Sequence, residues 1–175
     1  SEDGFVIMFT SGTTGLPKGA VVSHRAMIAR ALVFASELGL RPDDTFIAWA
    51  PMFHMASTDH ALATLLRGGT VVIVDGFQIE PLLYAVESHR IGWLVLIPGM
   101  IDVLVAAMQS QQTRPRGISI CGAMADLVPP ATIAAVTELL QAPYLNSFGS
   151  TETGLPPATR TFVPIGEAPT RLSKQ

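Results

Sequence analysis

The chain has 175 residues, 49% of them hydrophobic and only 14% charged, where a soluble domain usually carries about 25% charged residues. That is enough chain for one domain with a real core, and too apolar a composition for disorder. Net charge −3, with nine scattered arginines and only Lys18 and Lys174 as lysines, argues against nucleic acid as a partner, which calls for a basic stripe.

In chain order, short apolar runs at Phe5–Phe9, Phe46–Ala50, Thr70–Val74, Trp93–Ile97, Ile118–Cys121 and Tyr144–Asn146 read as buried strands. Their apolar residues are continuous, as in parallel strands covered on both faces. Between them lie helical stretches. Ser23 is a good N-cap for His24–Leu38, with Gly39 as its stop. Ala56–Arg67 ends at Gly68-Gly69, and Pro81 suits the first position of Leu82–Arg90. Met100–Gln109 follows Pro98-Gly99, and Pro130 opens Ala131–Leu140. The expected architecture is α/β, a parallel sheet with helices on both faces. No charge-free stretch exceeds 14 residues, which is short of the roughly 18–20 that a membrane-spanning helix needs.

Such a sheet binds ligands in the loops beyond the carboxyl ends of its strands. After Phe9 the chain reads Thr10-Ser11-Gly12-Thr13-Thr14-Gly15-Leu16-Pro17-Lys18-Gly19. Glycines let backbone N–H groups converge on an anion, hydroxyls add uncharged donors, and Lys18 adds a point charge suited to phosphate. It is not a Walker A loop, because Pro17 stands where that loop needs Gly and Gly19 where it needs Ser or Thr. The chain also lacks a Gly-x-Ser-x-Gly elbow and a Gly-x-Gly-x-x-Gly turn, which disfavours a serine hydrolase and a dinucleotide-binding dehydrogenase. His54, Asp59 and His60 fit no standard zinc spacing. Cys121, the only cysteine, rules out an internal disulfide and reads as a small buried hydrophobe suited to a reducing cytoplasm.

The Phe9–Gly19 segment resembles the phosphate-loop signature of the adenylate-forming superfamily, which includes acyl- and aryl-CoA synthetases and peptide-synthetase adenylation domains. Pro51-Met52-Phe53-His54 and Asn146-Ser147-Phe148-Gly149-Ser150-Thr151-Glu152 follow in that family's order. The resemblance implies ATP as substrate, an acyl-adenylate intermediate, AMP as product, and transfer of the acyl group to a thiol, usually coenzyme A. It implies that Thr10, Ser11, Gly12, Thr13, Thr14, Gly15 and Lys18 hold the β- and γ-phosphates. It further implies that Thr151 contacts the α-phosphate and that Glu152 binds Mg²⁺. Asn146, Ser147, Phe148 and Gly149 would line the nucleotide site, with Phe148 stacked on adenine where the family more often has Tyr. A turn at Gly122-Ala123-Met124 would close the other adenine face, although the family's usual Gly-Gly-Ala-Pro has become Cys121-Gly122-Ala123-Met124 here. His54 is implied to shape the carboxylate and thiol tunnel, which favours a simple carboxylic acid over an amino acid. Met55, Ile97 and Gly99 suggest an apolar acyl or aryl pocket.

Residues 1–153 then read as a nucleotide-binding subdomain and 154–175 as an irregular segment leading toward a further one. The family's ribose-binding Asp, hinge and catalytic Lys find no counterpart here. With no initiator Met, no leader-like start and few charges, the chain reads as an excised piece whose surfaces the remainder of the enzyme covers, or which pair in a homodimer. Two alternatives stay open: a nucleotide-binding or interaction module without turnover, and a fragment of a peptide-synthetase adenylation domain.

Overall fold

A computed structural model describes residues 1–10, 15–124, 127–155 and 161–170. The chain opens with β1 (Gly4–Thr10) and β2 (Lys18–Ser23), followed by α1 (His24–Leu38). A regular alternation then begins: β3 (Thr45–Ala48), α2 (Met55–Leu66), β4 (Thr70–Ile73), α3 (Ile79–Ser88), β5 (Ile91–Val95), α4 (Ile101–Gln111), β6 (Ile118–Met124), α5 (Pro130–Leu140) and β7 (Tyr144–Ser147).

The last five strands form one parallel sheet in the order β4-β3-β5-β6-β7. The chain leaves β3 toward β4 through α2, then turns back over β3 to reach β5 through α3. Right-handed crossovers demand that this reversal change the face on which the connecting helix lies. The two cores record it. Phe34 of α1 and Ala61 of α2 pack with Phe46, Ala48, Trp93, Ile120 and Leu145 on one face. Leu82 and Val86 of α3, Leu104 and Met108 of α4, and Ile133, Val136 and Leu140 of α5 pack on the other. The expected α/β sheet with helices on both faces is thus the observed one; β3 inside the sheet and β7 at its edge are both buried throughout.

Local chemistry sets the helix ends. Ser23 Oγ accepts from the Ala26 N–H at 3.2 Å, and Gly39 closes α1 in the left-handed conformation. α3 starts at Ile79, so Pro81 lies inside the first turn instead of opening the helix. The missing N–H is harmless there, because first-turn N–H groups have no intrahelical partner. α4 and α5 end on Gln112 and Gln141, both left-handed at φ 54° and 52°, where the sequence offers no glycine. Cys121 is fully buried, and burial pushes its thiol up to about 12; it is an inert core residue.

Two of the expected buried strands differ. β4, at the sheet edge, is half-buried to exposed, with Ile73 69% exposed. Phe5–Phe9 is not a buried strand of the parallel sheet. β1 pairs antiparallel with β2 in a separate two-stranded sheet, with Thr10 opposite Lys18 and Phe9 opposite Gly19. Met8 and Val22 turn inward onto Met27 and Met55, whereas Phe5, Ile7, Phe9 and Val21 are exposed. Apolar residues on both faces made the segment look like a covered strand. Thr10 and Lys18, the ends of the glycine-rich segment, are therefore partners across a two-stranded antiparallel pair.

Candidate active site

The order β4-β3-β5-β6-β7 reverses direction at β3, and the crevice beside such a switch point, beyond the carboxyl strand ends, is where an open α/β sheet binds ligands. A cavity of about 380 Å³ opens there, within the usual size of a small-molecule site. Ala50, Pro51 and His54 beyond β3, Val95–Pro98 at the end of β5, Gly122 and Ala123 in β6, and Ser147 with Gly149–Thr151 at β7 line it.

His54 is the N-cap of α2. Its Nδ1 accepts from the Ala56 N–H at 3.1 Å, so the neutral ring carries its proton on Nε2. The turn before it is pinned by Ser57 Oγ donating to the Ala50 carbonyl at 2.6 Å, by the His54 N–H donating to Pro51 at 2.9 Å, and by Thr58 Oγ1 donating to Met52. Met55, the next residue, lines the cavity and also joins the hairpin's inner cluster. The base of the β1–β2 hairpin is thereby packed against the cavity wall.

Gly122 marks the closest packing in the site. A Cβ there would lie 2.2 Å from the Leu145 carbonyl oxygen and 2.7 Å from Trp93 Cη2. Trp93 is buried in the wall with its Nε1 unpartnered among the described residues. Gly122-Ala123-Met124 is no turn, contrary to expectation. β6 continues through these residues because β7 pairs with all three, Leu145, Asn146 and Ser147 lying opposite. Ser147 Oγ donates to the Ala123 carbonyl at 2.8 Å and ties the two strand ends together.

Beyond β7, Ser150 to Gly154 form a tight turn, with the Ser150 N–H donating to Gly154 at 3.1 Å and the Gly154 N–H returning to Ser150 at 2.8 Å. Thr151 lines the cavity and Glu152 stands at the exposed corner of the turn. Hydrogen bonds from its own backbone N–H and from the Ser150 hydroxyl, with a smaller effect of Arg30, hold the Glu152 carboxyl below the usual range. It is an ionised, accessible carboxylate.

Of the other residues singled out in the sequence, Thr10 and Lys18 pair at the hairpin end, where Thr10 Oγ1 donates to the Lys18 carbonyl at 3.4 Å, and Gly15 is left-handed at φ 85°. Ser11, Gly12, Thr13 and Thr14 lie outside the described residues. Asn146 is buried in β7, and Phe148 is 58% exposed outside the cavity wall. Met55 and Ile97 line the cavity, but Gly99 does not; with φ 84° it serves the turn into α4. Asp59 is engaged by Arg30 at 3.2 Å. His60 is fully buried among Phe34, Phe46 and Trp93, and burial, helped by the charge of Arg67, lowers its pKa to about 3. Sequence reasoning missed Trp93 and Arg30 in this neighbourhood. Trp93 sat in an apolar run and Arg30 in a solvent-like helix pattern, and neither carries a local signal.

The family model for AMP-binding enzymes matches residues 1–173. The chain is 30% identical to the chloroplastic/peroxisomal 2-succinylbenzoate–CoA ligase of Arabidopsis thaliana, over 87% of this chain and 28% of that protein. It is also 30% identical to the 4-chlorobenzoate–CoA ligase of a Pseudomonas species, over 86% and 29% respectively. It thus spans under a third of these relatives' length. Among solved structures, a putative long-chain-fatty-acid CoA ligase of Rhodopseudomonas palustris superposes with TM-score 0.76 at 23% identity, covering 88% of this chain and 38% of that one. O-succinylbenzoate coenzyme A synthetase of Bacillus subtilis in complex with AMP superposes with TM-score 0.74 at 24% identity, covering 87% and 31%. A glycine-rich hairpin, a switch-point cavity and a match along nearly the whole chain agree: this chain belongs to the AMP-binding enzyme family.

Proposed function

We propose that the chain forms the nucleotide- and acyl-binding part of an ATP-dependent carboxylate–CoA ligase. In the reaction a carboxylate oxygen attacks the α-phosphorus of ATP and the bond to the β-phosphate breaks. Pyrophosphate leaves, and a thiol, that of coenzyme A, then takes the acyl group and releases AMP. Two anions must meet, so the site has to neutralise charge and hold the reactants in line. In this reading the Thr10–Lys18 loop cradles the β- and γ-phosphates, Thr151 binds the α-phosphate, and Asn146–Gly149 with Gly122–Met124 enclose the adenosine. The exposed Phe148 ring is free to stack on adenine. Glu152, ionised and accessible, fits Mg²⁺, an ion commonly held by one or two carboxylates together with substrate phosphates. When bound, Mg²⁺ neutralises phosphate charge.

The observation that carries this reading is the single cavity shared by His54, Gly122, Ala123, Ser147 and Thr151. Its described lining contains no Lys, Arg, Asp or Glu, so it offers no permanently charged side chain to an ammonium or a second carboxylate. The substrate we propose is a small monocarboxylic acid with an uncharged acyl or aryl body, for which His54 stands at the entrance. Cys121, a buried thiol, suits a reducing compartment, and the cytoplasm is the location we propose.

The test is ATP–pyrophosphate exchange by the complete polypeptide that contains these residues, with benzoate-like and aliphatic acids beside phenylalanine and succinylbenzoate. Exchange with the uncharged acids supports the reading. Exchange with amino acids alone, or with none of the acids, refutes it.

A further inference from the structure

Arg30 projects from α1 into the seam between α2 and the Ser150–Gly154 turn. Its Nη1 donates to Asp59 Oδ2 at 3.2 Å, and its Nη2 donates to the carbonyls of both Thr151, at 3.2 Å, and Glu152. The two side chains are 13% and 7% exposed. The turn is laid directly on this pair. Gly154 is left-handed at φ 72°, and a Cβ there would meet Arg30 Cδ at 2.9 Å, Arg30 Nε at 3.1 Å and Asp59 Oδ2 at 3.2 Å. With two successive carbonyls bound to one nitrogen, the Thr151–Glu152 peptide has little freedom to rotate.

We propose that Arg30 and Asp59 are positioning residues for adenylate formation, setting the turn that presents Thr151 to the α-phosphate and Glu152 to the cation. Neither touches the reacting atoms, and the role rests on the ligase reading above. Asp59 fixes which way the guanidinium fork faces, and the fork fixes the peptide. The choice of arginine follows, since a lysine ammonium supplies no planar fork to serve two directions at once.

The electrostatics favour a positional over a stabilising role. Burial raises the Asp59 pKa by more than the charge and hydrogen bond of Arg30 lower it. Asp59 Oδ1 is also buried without a partner among the described residues. A buried ion pair of this kind adds little net stability, whereas its geometry is specific.

The experiment compares wild type, Arg30→Lys and Asp59→Asn in the complete polypeptide, using pyrophosphate exchange at varied Mg²⁺, thermal melting and amide hydrogen exchange. Displacing the turn by an ångström slows adenylation by about 10- to 100-fold. Arg30→Lys therefore lowers kcat by that factor and raises the Mg²⁺ concentration for half-maximal rate, with KM for the acid little changed. Protection of the Thr153 and Gly154 amides falls at least about 10-fold while that of the β3 and β5 amides persists. Asp59→Asn leaves the Arg30 charge without its counter-ion and lowers Tm, and it lowers the rate by more than the unfolded fraction at the assay temperature accounts for. Wild-type kcat and Mg²⁺ dependence in Arg30→Lys, or a loss that tracks the unfolded fraction in both variants, overturns the proposal. Should the wild type exchange no pyrophosphate with any acid, the ligase reading falls; unchanged amide protection in the variants would show separately that Arg30 does not set the turn.

Discussion

Gly122→Ala tests how the cavity wall is built. The added Cβ would sit 2.2 Å from the Leu145 carbonyl oxygen and 2.7 Å from Trp93 Cη2, more than an ångström inside ordinary contact for the first. Leu145 belongs to β7, paired with β6 at this very residue, so relief requires moving one strand and not turning a side chain. Overpacking a buried site costs about 1–3 kcal/mol, and a backbone clash belongs at the top of that range. At about 2–4 °C per kcal/mol for a chain of this size, the melting temperature falls by about 6–12 °C. Thermal unfolding followed by far-ultraviolet circular dichroism reads it. Trp93→Phe combined with Gly122→Ala removes the indole clash but leaves the carbonyl one, so the double variant remains destabilised. A Gly122→Ala melting temperature within about 2 °C of wild type would refute the reasoning.

His54 has two separable jobs. His54→Ala removes the α2 cap and costs about 1 kcal/mol, whereas His54→Asn retains a capping acceptor and melts like wild type. If the imidazole guides the thiol step, both variants lose thioester formation alike; retention of activity in the Asn variant assigns His54 to capping alone. His60 makes stability pH-dependent in a defined direction. Its folded pKa of about 3 lies below the unfolded value of 6.5, so its contribution is complete above pH 6.5 and is lost as pH falls toward 3. The slope from this one group approaches about 1.4 kcal/mol per pH unit. The raised pKa of Asp59 acts in the opposite sense, its contribution being present at low pH and lost as pH rises. Urea titrations from pH 7.5 to 4.5 should show the fall in wild type and a shallower one in His60→Gln; identical profiles would mean that His60 takes up its proton while folded.

The sequence alone determined what depends on neighbours along the chain. α1 ran as expected from His24 to Leu38, because Ser23 and Gly39 carry their capping chemistry locally. Continuous apolar runs announced the strands of the parallel sheet, of which β3 and β7 are buried throughout. Tertiary structure decided what depends on distant partners. β1 left the parallel sheet because β2 pairs with it, and Gly122–Met124 became strand because Leu145–Ser147 run alongside. The left-handed ends at Gln112 and Gln141 carry no residue signal. Arg30 reaches Thr151 and Glu152 from 121 and 122 residues away. Capping and apolar periodicity act within a few residues of one another, so composition records them. Strand pairing and a guanidinium clamp join residues that only the folded chain brings together, and their strength comes from burial and geometry that no local segment possesses.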